Sequence, residues 1–106
     1  MIFDKCLFTD KEKIELLERS IMVNSYAYYE LDENILSDYQ YDTNTRQLLE
    51  LRQSAPEAFE QSRYYSYFYD FVSGTGFDLL KRIRDDKELF WKVRTDALMA
   101  LERMKR

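Results

Sequence analysis

The scarcity of chain breakers limits what this sequence can fold into more than any other feature. Its 106 residues hold two glycines, Gly74 and Gly76, and one proline, Pro56. Strands joined by tight turns need glycine or asparagine where φ is positive and proline at turn corners. Leu, Glu, Lys and Arg, which lose little rotamer freedom in a helix, fill the chain instead. The reading is an all-α protein, a compact bundle of four to five helices, with residues 1–106 as one domain. A chain of this length buries about two thirds of its unfolded surface. The hydrophobic share is 45% against 34% charged, which separates it from disordered chains.

Capping signals divide the chain. Thr9 with Glu12 reads as a capping box, in which hydroxyl and carboxylate satisfy each other's orphan N–H groups. It opens a first helix from residue 10 to near 29 or 32, with Ile14, Leu17, Ile21 and Tyr28 as the inward stripe and a bend at Val23-Asn24-Ser25. Asp32-Glu33-Asn34 is the turn. Ser37 with Gln40 caps a second helix over residues 38–53, with Tyr41, Leu48 and Leu51 or Arg52 inward; Leu36 against Tyr41 forms a hydrophobic staple. Ser54 with Glu57 gives a third box and a helix over 57–71, whose aromatic half YYSYFYDF suits a central, buried helix, with a strand as the alternative. After Ser73-Gly74-Thr75-Gly76, a short helix covers 77–84. Asp85 with Glu88 then caps a final helix to near 105, with Phe90, Val93, Ala97, Leu101 and Met104 as its seam. Residues 1–8 read as an apolar lead-in tucked against the core.

Chemistry concentrates in residues 25–42, SYAYYELDENILSDYQYD, with five tyrosines and three aspartates around one turn. Asp38, Tyr41 and Asp42 fall at i, i+3 and i+4 of the second helix, hence on one face. An aromatic ring flanked by carboxylates suits a flat, cationic or hydroxyl-rich ligand, because the ring face attracts cations and the acids accept hydrogen bonds. Plain packing of Tyr28 and Tyr41 between the two helices, with Asp38 favouring the helix dipole, is the structural reading of the same residues.

The run YYELDENILSDYQYD resembles the N-terminal Ia domain of the NAD-dependent bacterial DNA ligases, which carries a YY or YH pair, a turn, and D-x-x-Y-D opening a helix. The resemblance spans residues 16–59, a helical hairpin, and Ser54-Ala55-Pro56-Glu57 is similar to that family's H-P-E stop. Residues 60–106 are additional helices. The resemblance implies a surface that closes over the nicotinamide mononucleotide half of NAD, and places Tyr28, Tyr29, Asp38, Tyr41 and Asp42 at the nucleotide. Tyr29 stands where some members have His. The resemblance further implies NAD or nicotinamide mononucleotide as a ligand, with no cofactor required.

Other classes are disfavoured. The family's adenylation lysine lies in K-x-D-G on a separate nucleotidyltransferase domain, and no lysine here lies in such a motif. The expectation is therefore a module that is not an enzyme. Without histidine and with Cys6 alone, neither a Cys/His zinc site nor an internal disulfide can form. No apolar run approaches a membrane span and no signal-peptide core is visible, so a cytoplasmic setting is expected. Net charge divides as −7 over residues 1–76 and +3 over 77–106. That acidic first part suits a pyridinium or a basic protein partner, while the basic run from Lys81 to Arg94 is broken by acids, so direct nucleic-acid binding is not expected. The Gly74-Thr75-Gly76 turn, similar to an anion-binding nest or a DNA-binding hairpin, reads first as a turn needing positive φ. Two alternatives stand beside nucleotide binding: a small phage or mobile-element protein acting through a protein–protein interface, and a DNA repair or replication accessory.

Overall fold

The computed structural model describes residues 8–72 and 74–105. Among these, the protein is all-α: α1 (Asp10–Leu31), α2 (Asp38–Ser54), α3 (Pro56–Glu60), α4 (Tyr65–Phe68), α5 (Gly76–Arg84) and α6 (Lys87–Met104). The expected lead-in contact of residues 1–8 lies outside the described residues except at Phe8, which is exposed. α1 is the spine. It touches α2, α3, α5 and α6, so every other long element is held through it.

Local chemistry sets the helix starts. Thr9 and Glu12 form the expected capping box on α1, and Ser37 and Gln40 the one on α2. α6 is capped one residue later than expected. Asp86 is its N-cap, with Oδ1 accepting from the Leu89 N–H at 3.1 Å. Ser54 does not cap a third helix. It remains the last residue of α2, and α3 starts with Pro56 at N1, where the missing N–H costs nothing.

α1 passes through Val23-Asn24-Ser25 without a break. Asn24 explains how: its Nδ2 donates to the Ser20 carbonyl (2.7 Å) while its Oδ1 accepts from the Leu36 N–H (3.1 Å). One buried amide thus ties the α1–α2 connection back onto α1. The turn is made by Asp32 at φ 53°, ψ 42°, and the Glu33 N–H donates to the Ala27 carbonyl at 3.0 Å. A left-handed residue just past a helix is a common way to satisfy its last carbonyls.

The single helix expected over residues 57–71 is two short helices, α3 and α4, with turns over 61–64. α1 captures the backbone there. The Arg63 N–H donates to the Glu15 carboxylate (2.8 Å), and the Ser62 hydroxyl donates to the Phe59 carbonyl (2.7 Å). Side chains that bond nearby backbone offer the chain an alternative to helix. The aromatic run is buried in part: Tyr64, Phe68 and Phe71 are in the core, whereas Tyr69 is exposed.

The core joins Ile14, Leu17, Ile21, Met22, Tyr26 and Ala27 of α1 to Leu48, Phe59, Phe68, Leu79, Leu80, Ile83, Val93, Ala97 and Leu101. Two expected inward residues are outside it. Tyr28 is 55% exposed and Met104 is 57% exposed, each in the last turn of its helix. The inward row of α1 runs instead through Ser25 and Tyr26. Tyr41 is half-buried, and Arg52 donates from Nη1 to the Phe71 carbonyl at 2.8 Å.

α5 approaches closely because Gly76 has no side chain. A Cβ there would lie 2.7 Å from Ser25 Oγ, 3.0 Å from the Tyr41 hydroxyl oxygen and 3.2 Å from the Tyr29 ring. Overpacking of this kind costs about 1–3 kcal/mol. Gly76→Ala is expected to lower the urea midpoint accordingly without changing the slope of the transition.

Glu18 is completely buried on α1, with Oε1 unpartnered among the described residues and Oε2 3.2 Å from Ser62 Oγ. Burial pushes its carboxyl up to about 8, against the partial relief of the Ser62 hydrogen bond, and nearby Glu15 adds to the rise. At neutral pH Glu18 therefore stays protonated and can donate to Ser62, leaving that hydroxyl free for the Phe59 carbonyl. In the unfolded chain the same group ionises near 4.5. The folded state holds the extra proton between these values, so stability falls as pH rises through that window. Glu18→Gln should raise the thermal midpoint at pH 8 and lose that advantage as pH approaches 4.5. Equal pH profiles for the two proteins would contradict this account.

Candidate nucleotide pocket

A cavity of about 170 Å³ opens where the C-terminal part of α1, the following turn, the start of α2 and the start of α5 meet. Its walls are Asn24, Ser25, Tyr28 and Tyr29 from α1, Asn34, Ile35 and Leu36 from the turn, Asp38 and Tyr41 from α2, and Gly74 and Gly76 from the α5 side. Four of the five site residues expected from the sequence converge here: Tyr28, Tyr29, Asp38 and Tyr41. Asp42 does not line the cavity. It lies one turn beyond Asp38 on α2 and is exposed.

Each wall has a local cause. Tyr28 and Tyr29 occupy the last turn of α1, and both rings stay exposed, at 55% and 44%. They meet edge to face, with centroids 4.8 Å apart and planes at 81°. That is the arrangement the ring quadrupoles favour. Asp38 occupies the first helical position after the Ser37 cap, where the α2 dipole favours its negative charge. Asn24 holds the turn that carries Ile35 and Leu36 against the opening.

Tyr41 forms the floor. Its hydroxyl pairs with Ser25 Oγ at 3.2 Å, and either oxygen can donate. Desolvation holds the phenol above its ordinary range; the Ser25 bond opposes the shift, and the charges of Tyr29 and Asp42 add to it. Tyr41 is therefore neutral in ordinary buffers, a hydroxyl able both to donate and to accept. The pocket presents an apolar, aromatic lip, two hydroxyls inside and one carboxylate at the rim. Such a lining suits a flat ring bearing positive charge, joined to a group with hydroxyls.

Ser25, Asn24 and Gly76 shape this site and were not expected in it. Ser25 reads in the sequence as a weak helix former, and Asn24 likewise. Gly76, as one of two glycines, carried a signal, but a turn explains it equally well. Its close approach becomes visible only when α5 lies across α1 and α2.

Comparison with known proteins places the α1–α2 segment in a known family. A family model described as the DNA ligase-like, N-terminal NAD+-binding domain matches residues 8–68. A DNA ligase of Thermoanaerobacter sp. (strain X514) is 45% identical over 47 residues, which is 44% of this chain and 7% of that protein. DNA ligases of Thermosipho africanus (40% over 47 residues; 44% and 7%) and Roseiflexus castenholzii (42% over 45 residues; 42% and 6%) match a similar extent. The matched stretch is thus less than a tenth of each relative's length. No solved structure matches. The match to the family model covers more than half of the chain and all the pocket residues of α1 and α2, so this chain belongs to the family of DNA ligase-like, N-terminal NAD+-binding domains.

Proposed function

We propose that this chain is a non-catalytic binding module that recognises an NAD- or nicotinamide-mononucleotide-type nucleotide in the pocket between α1, α2 and α5. The observation that carries the reading is the convergence of Tyr28, Tyr29, Asp38 and Tyr41 on one open cavity of nucleoside-fragment size. The tyrosine pair offers exposed ring faces and edges to a pyridinium. Asp38 accepts a hydrogen bond from a ribose hydroxyl or the carboxamide, and Ser25 and Tyr41 supply hydroxyls at the floor. Asp42 adds negative charge on the same side of Tyr41, favouring the cationic ring of the oxidised cofactor.

The family name supports the ligand class, and the sequence supports the non-catalytic role, since no lysine sits in a K-x-D-G motif. A cavity of about 170 Å³ leaves much of a nucleotide in water, so affinity in the high micromolar to millimolar range is expected. Calorimetric titration of the wild type with nicotinamide mononucleotide and NAD tests this. Removing a charge-assisted hydrogen bond costs about 1.5–3 kcal/mol, so Asp38→Ala with Tyr41→Ala should weaken binding at least tenfold while circular dichroism stays helical. Absence of any heat with the wild type at millimolar nucleotide would end the proposal.

A further inference from the structure

The pocket's α5 wall lies beyond the family-matched span, and it continues outward as a line of side chains. The Phe77 ring sits 5.6 Å from the Tyr29 ring, and the Lys81 ammonium sits 4.8 Å from the centroid of Phe77. Tyr28, Tyr29, Phe77 and Lys81 therefore form one exposed row along the lip, three rings ending in a cation. Phe77 is 48% exposed although it neighbours the core residues Leu79 and Leu80, and Lys81, one turn on, is exposed as well.

The cations near this end of the molecule are not equivalent. Arg84 pairs with Glu30, Arg82 with Asp70 and the Tyr67 carbonyl, and Arg52 with the Phe71 carbonyl. Asp78, the acid nearest Lys81 in α5, acts on Arg82. Among the described residues Lys81 pairs with no carboxylate, only with the ring beneath it. A cation held on an aromatic ring keeps its donors available to an anion. Asp38, the carboxylate that lines the cavity, would repel an anion placed beside it.

We infer that Phe77 and Lys81 extend the pocket into a phosphate-recognising subsite, so that the chain selects a pyridine nucleotide over the corresponding nucleoside. The inference rests on the proposed pocket ligand: a pyridinium against Tyr28 and Tyr29 has its 5′-phosphate within reach of the Phe77–Lys81 pair that continues the same row of rings. Phe77 positions the lysine and shields one side of the contact. Lys81 supplies the charge. Because the contact is exposed, it contributes about 1.5- to fivefold in affinity and weakens with salt.

Titrations of the wild type, Lys81→Gln, Lys81→Arg and Asp38→Ala with nicotinamide mononucleotide and with nicotinamide riboside separate the two claims. The expected result is tighter wild-type binding of the mononucleotide than of the riboside. Lys81→Gln removes that difference and leaves riboside affinity unchanged, and Lys81→Arg restores it. Raising the salt from 20 to about 200 mM should narrow the same gap. Equal affinity for both ligands in the wild type, with both lost in Asp38→Ala, would overturn the phosphate subsite and leave the pocket intact. A parallel fall for both ligands in Lys81→Gln would overturn it too. A wild type that binds neither ligand would overturn the subsite together with the pocket reading.

Discussion

Three helices meet at one point where a side chain is missing. Gly76 lets the start of α5 approach the Ser25 hydroxyl, the Tyr41 phenol and the edge of Tyr29 at once. Without that approach the α1–α2 hairpin would present tyrosines and acids on an open face, with nothing behind them. With it, the face becomes a cavity with a floor, two sides and a lip. The hydroxyl pair of Ser25 and Tyr41 is shielded from water by the same contact, which is also why the phenol is held above its ordinary range.

The exposed part of the pocket is built from residues with few other structural duties. Tyr28 and Tyr29 lie exposed in the last turn of α1. Asp38 sits where the α2 dipole favours a carboxylate, so its charge is held in place without an ion pair among the described residues. The burdens of stability fall mainly on the aliphatic and aromatic core around α1, while Asn24 serves both as a pocket wall and as the tie between α1 and the turn. Glu18 shows the limits of that economy. A carboxyl locked in the core stays protonated because ionising it there, with one oxygen unpartnered, costs more than leaving it neutral.

The same physics explains which expectations held. Helix starts marked by side chains were legible, since Thr9, Ser37 and their glutamate and glutamine partners act within three residues. The helix expected over 57–71 was not, because it is interrupted by Glu15 and Glu18 reaching across from α1, a contact more than 40 residues away in sequence. Tyr28 and Met104 obeyed the apolar spacing of their helices yet lie in solvent. Periodicity assigns a face, and only the neighbour's length decides how far along the helix that face is covered.

The sequence by itself determined the all-helical class, the position of the α1–α2 hairpin and the identity of four pocket walls, because these depend on local caps, helical spacing and a contiguous motif. It could not place Ser25 and Asn24 in the site, leave Asp42 out of it, or bring Gly76, Phe77 and Lys81 to its edge. Those outcomes depend on the path of a segment some fifty residues downstream, and a chain's pattern records which faces are apolar without recording which of them will meet. Only the packed tertiary structure, where one absent Cβ admits a third helix, turns a resemblance into an enclosed site.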